Sequence, residues 1–160
     1  MTIKIGDRIP SATLTEMRDG APRAIKTDAL FAGKRAVLFA VPGAFTPTCS
    51  AKHLPGFIQH AGAFGEKGID LIACLSVNDA FVMGAWGNAQ GAGDKVIMLA
   101  DGNGDFTKSV RLEMDATKFG MGLRSQRYAM VIDDGVVTKL FVEEPGAYAV
   151  SSAEHMLKEV

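Results

Sequence analysis

One of the chain's two cysteines stands where a thiol can act as a nucleophile. The stretch FAVPGAFTPTCSAKHLPGF, residues 39–57, places Cys49 three residues after Thr46 and two after Pro47. Thr is a good N-cap and Pro is favoured at the first helical position. The spacing therefore predicts a helix opening at Thr46, with Thr48 at N2 and Cys49 at N3. A sulfur there faces backbone N–H groups that have no partner within the helix, and the positive end of the helix dipole. Both favour the thiolate, and thiols so placed ionise below the ~8.5 of a free cysteine. The expected product is a reactive sulfur on an exposed turn. Pro42 and Gly43, just ahead of it, let the backbone turn sharply and approach a ligand closely.

A strand must deliver that turn. Residues 36–41 (AVLFAV) are a continuous apolar run, as expected of a strand buried on both faces. The helix after it is predicted over residues 46–67, kinked at Pro55 and stopped near Gly68. Residues 69–77 (IDLIACLSV) read as a second buried strand and make Cys74 a small core hydrophobe. Asn78 is the predicted cap of a helix running toward Gly91. Residues 95–100 form a third strand, followed by a short helix over 106–112. Asp19-Gly20 and Asp133-Asp134-Gly135 mark hairpins, the second joining strands 128–132 and 136–142. Ser151, with Glu154 three residues on, is a capping box for a last helix. This order implies a single α/β domain over residues 1–160, a mixed central sheet flanked by helices. Ligands of such sheets sit at strand carboxyl ends, where Val41 meets the Cys49 turn.

The chain has 160 residues, 48% hydrophobic and 22% charged, with a formal net charge of -1. That is the balance of a folded soluble domain. No basic face points to nucleic acid, and no run approaches the ~20 apolar residues of a membrane span. The first residues lack a signal-peptide core, so a cytoplasmic setting is expected. Two cysteines do not make a disulfide scaffold.

The motif Pro42-x-x-x-Thr46-x-x-Cys49 matches the PxxxTxxC motif of peroxiredoxins. VPGAFTPTCSAKHLPGF, ACLSVNDAFVMGAWG and RSQRYAMVIDDGVV resemble the Prx5, or type II, branch, and the resemblance covers nearly the whole chain. The resemblance implies a thioredoxin-like fold and a thiol peroxidase that reduces hydrogen peroxide and alkyl hydroperoxides without a cofactor. It implies Cys49 as the peroxidatic nucleophile, passing through a sulfenic acid. Thr46 would hydrogen-bond the sulfur and the peroxide, Arg127 would hold the thiolate, and Pro42 would shield the sulfenate. The backbone around Gly43 and Cys49 would orient the peroxide. A homodimer is implied, with contacts from Phe45 and the segments near Phe81 and Trp86.

Relatives with a resolving cysteine carry it late in the chain, where this one has Ser151 and Ser152. Recycling by glutathione and glutaredoxin, or by thioredoxin, is therefore expected, with Cys74 as the alternative resolver. His53 invites comparison with Cys/His nucleophile pairs. At i+4 it should point away from the helix start, and it reads as structural, with tuning of the pocket as the alternative. DGNGDF (101–106) lacks the Gly and Glu that a calcium loop needs and reads as a turn. No His/Cys cluster has metal-ligand spacing. Two other functions compete. A thiol–disulfide oxidoreductase would need a second sulfur where Thr46 stands, and a peroxide sensor would pass its oxidation to a partner protein.

Overall fold

Asp19 and Gly20 both take positive φ (54° and 80°), which suits the tight connection between β1 (Thr13–Arg18) and β2 (Ala21–Lys26). The computed structural model describes residues 1–160. After α1 (Thr27–Phe31) come β3 (Arg35–Ala40), the segment bearing Cys49, α2 (Leu54–Gln59) and α3 (Ala61–Glu66). Next are β4 (Leu71–Ser76), α4 (Ala80–Gln90), β5 (Ile97–Ala100) and α5 (Asp105–Ser109). The chain then forms β6 (Glu113–Asp115), a 3-10 turn (Thr117–Phe119), β7 (Leu123–Ser125), the hairpin β8 (Tyr128–Asp133) and β9 (Val136–Val142), and α6 (Ala153–Glu159).

Seven strands make one mixed sheet in the order β2-β1-β5-β4-β3-β8-β9, while β6 and β7 pair separately. β3 runs parallel to β4 and antiparallel to β8. The sheet's two faces make two cores. Val37, Phe39, Cys74, Ala129 and Val131 join Leu54, Phe57, Phe64 and Trp86 on one face. Ala36, Leu38, Leu75, Leu99, Tyr128 and Met130 pack with Phe31 and Phe106 on the other. Such strands bury both faces, which is why they read as continuous apolar runs.

Two predicted caps shift by one residue. Asp79, not Asn78, caps α4, its carboxylate accepting from the Val82 N–H at 2.8 Å. Ser152, not Ser151, caps α6 through the His155 N–H at 3.1 Å. In each case the displaced residue is occupied at the site described next. The Asp101 carboxylate accepts from the N–H groups of Phe106 (3.2 Å) and Thr107 (2.8 Å), so DGNGDF starts a helix.

Candidate active site

β3 ends at Ala40, and residues 41–48 leave the sheet at its carboxyl edge. Thr46 stands at the helix start as expected, its carbonyl accepting from the Ser50 N–H at 2.9 Å. Its hydroxyl does not cap that helix; Oγ1 donates to the Gly43 carbonyl at 2.7 Å. This bond tightens residues 43–46 into a turn that holds Phe45 at a φ of 64°. A Cβ on Gly43 would lie 3.1 Å from Thr46 Cγ2 and 3.2 Å from Met121 Cε, so any larger residue would have to push these two side chains back. The Ala44 N–H donates to Asn78 Oδ1 at 3.0 Å, and the Ser76 hydroxyl donates to the same oxygen at 2.6 Å. Asn78 thus braces the Cys49 loop instead of capping α4. Pro42 is half-buried at the strand exit.

The predicted continuous helix over residues 46–67 is not what forms. Cys49–His53 make a π turn, closed by a bond from the Leu54 N–H to the Cys49 carbonyl. Pro55 has no N–H for the carbonyl four residues back, so the α ladder fails here and the turn widens. A second break at His60 (φ −97°, ψ 8°) separates α2 from α3. The indole N–H of buried Trp86 donates to Ser50 Oγ at 3.0 Å, pinning the residue after Cys49.

The exposed sulfur expected from the sequence is corrected. Cys49 is fully buried, with 0% exposure, among Phe39, Val41, Leu54 and Phe57. Peroxide can reach it only as neighbouring side chains give way. In return water is kept off the sulfur, and nearby charges act through a low dielectric. The guanidinium contacts it directly: Arg127 Nη2 donates to Cys49 Sγ at 3.2 Å. Register explains how a residue 78 positions away arrives there. Ala40 pairs with Tyr128, the first residue of β8, so Arg127 lies just ahead of β8 beside the exit of β3. Side chains alternate along a strand. Tyr128 therefore faces one core, while Arg127 shares the face of Ala129 and Val131, the face that holds Cys49.

His53 belongs to the site, contrary to the expectation that it points away. The wide turn carries it to Arg127, whose Nη1 lies 2.8 Å from His53 Nδ1, and His53 Nε2 lies 2.9 Å from the Ser151 carbonyl. A carbonyl only accepts, so Nε2 carries the proton and Nδ1 offers its lone pair to the guanidinium. Burial, and then the Arg127 charge, lowers the His53 pKa to about 3, which keeps the ring neutral. Sequence reasoning left pocket tuning by His53 open but missed its contact with Arg127, because it assumed α geometry. The available signal was Pro55, two residues on.

This pairing has a consequence for stability. In the unfolded chain a histidine titrates near ~6.5. Between that value and about 3 the unfolded chain binds the extra proton, so His53's contribution is complete above pH ~6.5 and is lost progressively as pH falls toward 3. We expect the urea midpoint to drop from pH 7 to pH 4, with uptake of one proton at His53. A His53→Phe variant should show a shallower pH slope, whatever its absolute stability. Equal slopes for the two proteins would refute the assignment.

Cys74 lies in β4, opposite Phe39 of β3, and is fully buried. Burial, and then the neighbouring Cys49 charge, raises its pKa well above the usual thiol value, so it stays protonated. Arg124 donates from Nε to the Met121 carbonyl (2.9 Å) and from Nη1 to the Val77 carbonyl (3.0 Å), which ties Met121 to the residue just after β4. No helix is long and apolar enough to cross a membrane.

A buried thiol at the carboxyl edge of a mixed sheet, touching a guanidinium fixed by a neutral imidazole, defines a thiol-redox protein of thioredoxin-like architecture. The chain matches the Redoxin family over residues 4–157. It is 55% identical to peroxiredoxin-2E-2, chloroplastic, of Oryza sativa subsp. japonica over 162 residues, covering 98% of this chain and 72% of that one. Reduced Prx3 of Vibrio vulnificus in complex with hydrogen peroxide superposes with a TM-score of 0.95 at 56% identity, covering 99% of each chain. Peroxiredoxin 5 of Alvinella pompejana gives a TM-score of 0.87 at 35% identity, covering 98% of this chain and 96% of that one. The chain belongs to the peroxiredoxins, in their Prx5-like branch, and is a thiol peroxidase.

Proposed function

We infer that the chain reduces hydrogen peroxide and organic hydroperoxides at Cys49 and is recycled by glutathione, with glutaredoxin or a second glutathione completing the cycle. The observation that carries this reading is the 3.2 Å contact of Arg127 Nη2 with the Cys49 sulfur at the start of a helical segment. The thiolate attacks one peroxide oxygen. The S–O bond forms as the O–O bond breaks, sulfur is oxidised to sulfenic acid, and the other oxygen leaves as hydroxide or alkoxide and takes up a proton. Arg127 bonds the sulfur and stabilises negative charge as it moves to the leaving oxygen. The proton of the Thr46 hydroxyl is already held by Gly43, which leaves its oxygen as an acceptor for the peroxide O–H. Pro42 and the turn at Gly43 keep water from the sulfenic acid.

Glutathione then attacks the sulfenic sulfur, releasing water and leaving a mixed disulfide. A second thiol frees Cys49 and carries away oxidised glutathione or its glutaredoxin equivalent. Two features favour an external thiol: Ser151 and Ser152 stand where a late resolving cysteine would be, and Cys74 is sealed in β4. The test is stopped-flow oxidation by hydrogen peroxide and by an alkyl hydroperoxide, followed by glutathione, with intact mass after each step. Added oxygen and then a glutathione adduct are expected, and Cys74→Ser should turn over within about twofold of the parent. Loss of two hydrogens after peroxide, with collapse of turnover in Cys74→Ser, would make Cys74 the resolver. A single stoichiometric oxidation without turnover would indicate a sensor.

A homodimer is part of the same proposal. Phe45 and Phe81 are 55% and 65% exposed, and Trp86 is itself buried while Ala85 and Asn88 beside it are exposed, so this surface is available to a second copy. Sedimentation decides it. We also propose a cytoplasmic setting, since two unpaired thiols call for a reducing compartment. The chloroplastic relative shows that the scaffold also serves elsewhere, and fractionation of source cells is the test.

A further inference from the structure

Glu143 is a buried carboxylate outside the motif residues, and three donors converge on one of its oxygens. Oε2 accepts from the Ala149 N–H (2.7 Å), the Ser151 N–H (2.9 Å) and the Ser151 hydroxyl (2.7 Å). Burial by itself would raise its pKa, but the bonds from Ser151 and the neighbouring backbone outweigh this, and the group lies below the ordinary glutamate value. It is therefore an anion at neutral pH. Its backbone N–H donates to the Arg127 carbonyl at 2.9 Å. One residue thus grips the chain at Arg127 and also the far end of the loop 144–150.

That loop returns to the site. The Ser151 carbonyl receives His53 Nε2 at 2.9 Å, and the Tyr148 hydroxyl donates to the Lys52 carbonyl at 3.3 Å. The Tyr148 ring stands edge-on to His53, with centroids 5.3 Å apart. We propose that Glu143 is a positioning residue for the peroxidase reaction: through Ser151 it fixes the protonated nitrogen of His53, and so the direction in which Arg127 presents its guanidinium to Cys49.

The logic is one of hydrogen-bond direction. With the Ser151 carbonyl in place, the His53 proton sits on Nε2 and Nδ1 accepts from Arg127. If the carbonyl moves away, the ring can carry its proton on Nδ1 instead, where an N–H would face the N–H of the guanidinium. Arg127 then loses its second anchor and is no longer aimed at the sulfur. Three donors on a single oxygen call for the strong acceptor that a carboxylate provides. At the position where some relatives place a resolving cysteine, this chain uses a serine as a strut of the site.

The inference rests on the peroxidase reading, and a double-mutant cycle tests it. Glu143→Ala should slow the reaction of Cys49 with hydrogen peroxide about tenfold, the effect of one misdirected hydrogen bond to a charged group. Glu143→Gln, which keeps an amide oxygen as acceptor, should recover part of the loss. In a His53→Phe background Glu143→Ala should cost nothing further, because the link it acts through is already gone. An unchanged rate in Glu143→Ala, or the same loss in both backgrounds, overturns the proposal. Should Glu143→Ala fail to fold, Glu143→Gln enters the same cycle, with a loss of about threefold expected in the parent alone. A parent protein inert to peroxide would overturn the functional reading instead. The wiring would then be read from iodoacetamide alkylation of Cys49, located by peptide mass, in the same four proteins, with the same pattern expected.

Discussion

Cys49→Ser is expected to bring peroxide consumption down to the rate of buffer with glutathione, while the fold and its thermal midpoint stay close to the parent's. Serine keeps the shape of the side chain, and its hydroxyl can still accept from Arg127 Nη2, so the fully buried position remains filled and the guanidinium keeps a partner. Chemistry is lost because a neutral hydroxyl is no nucleophile toward an O–O bond, and oxygen cannot take up and return the oxidation as sulfur does. Cys74 cannot substitute. It is sealed in β4, and burial holds it protonated. The measurement is a coupled glutathione assay beside a direct peroxide assay, with circular dichroism as the control for folding. Turnover retained in the folded variant would mean that the sulfur is not the reacting group, and the reading of the site would fail with it.

The parts of this site that lie within a few residues of one another were legible in the sequence, and the parts joined by distant register were not. Pro42, Thr46 and Cys49 follow from local rules, since a strand end, a cap and a proline at the first helical position can each be read in a short window. Strands β3 and β4 announced themselves as apolar runs, and β8 and β9 as the arms of a hairpin at Asp133-Asp134-Gly135. Arg127 came only through resemblance. Its place beside the sulfur depends on Ala40 pairing with Tyr128, and a one-residue slip would turn the guanidinium to the opposite core. The contact of His53 with Arg127 was missed because a π turn, not an α turn, precedes Pro55. Asn78 and Ser151 looked like caps, yet the residue after each does the capping and frees its neighbour to brace the site. β6 and β7, three residues each, carry too little periodicity to be seen. Burial of Cys49 depends on Leu54, Phe57 and the end of β3 closing over it, which no local window reports.

Replacing Arg127 should be nearly as damaging as removing the sulfur, and the choice of replacement separates charge from geometry. The guanidinium does two things at once: Nη2 meets the sulfur at 3.2 Å, and Nη1 meets the His53 ring at 2.8 Å. Arg127→Gln removes the cation and should lower the rate of sulfenic acid formation by roughly 10²–10³-fold, the effect of deleting one preorganised donor at a developing charge. Arg127→Lys restores the charge but not the planar fork. An ammonium drawn to the sulfur leaves His53 Nδ1 without its donor, and one held by His53 leaves the sulfur. Lysine should therefore recover little, remaining about tenfold or more below the parent. Rapid mixing with peroxide, read by the fluorescence of the single Trp86, whose indole is bonded to Ser50 next to the reacting cysteine, isolates the oxidation step from the later attack by glutathione. A lysine variant within about threefold of the parent would mean that any cation suffices, and that the two-point grip on the guanidinium contributes little to the barrier.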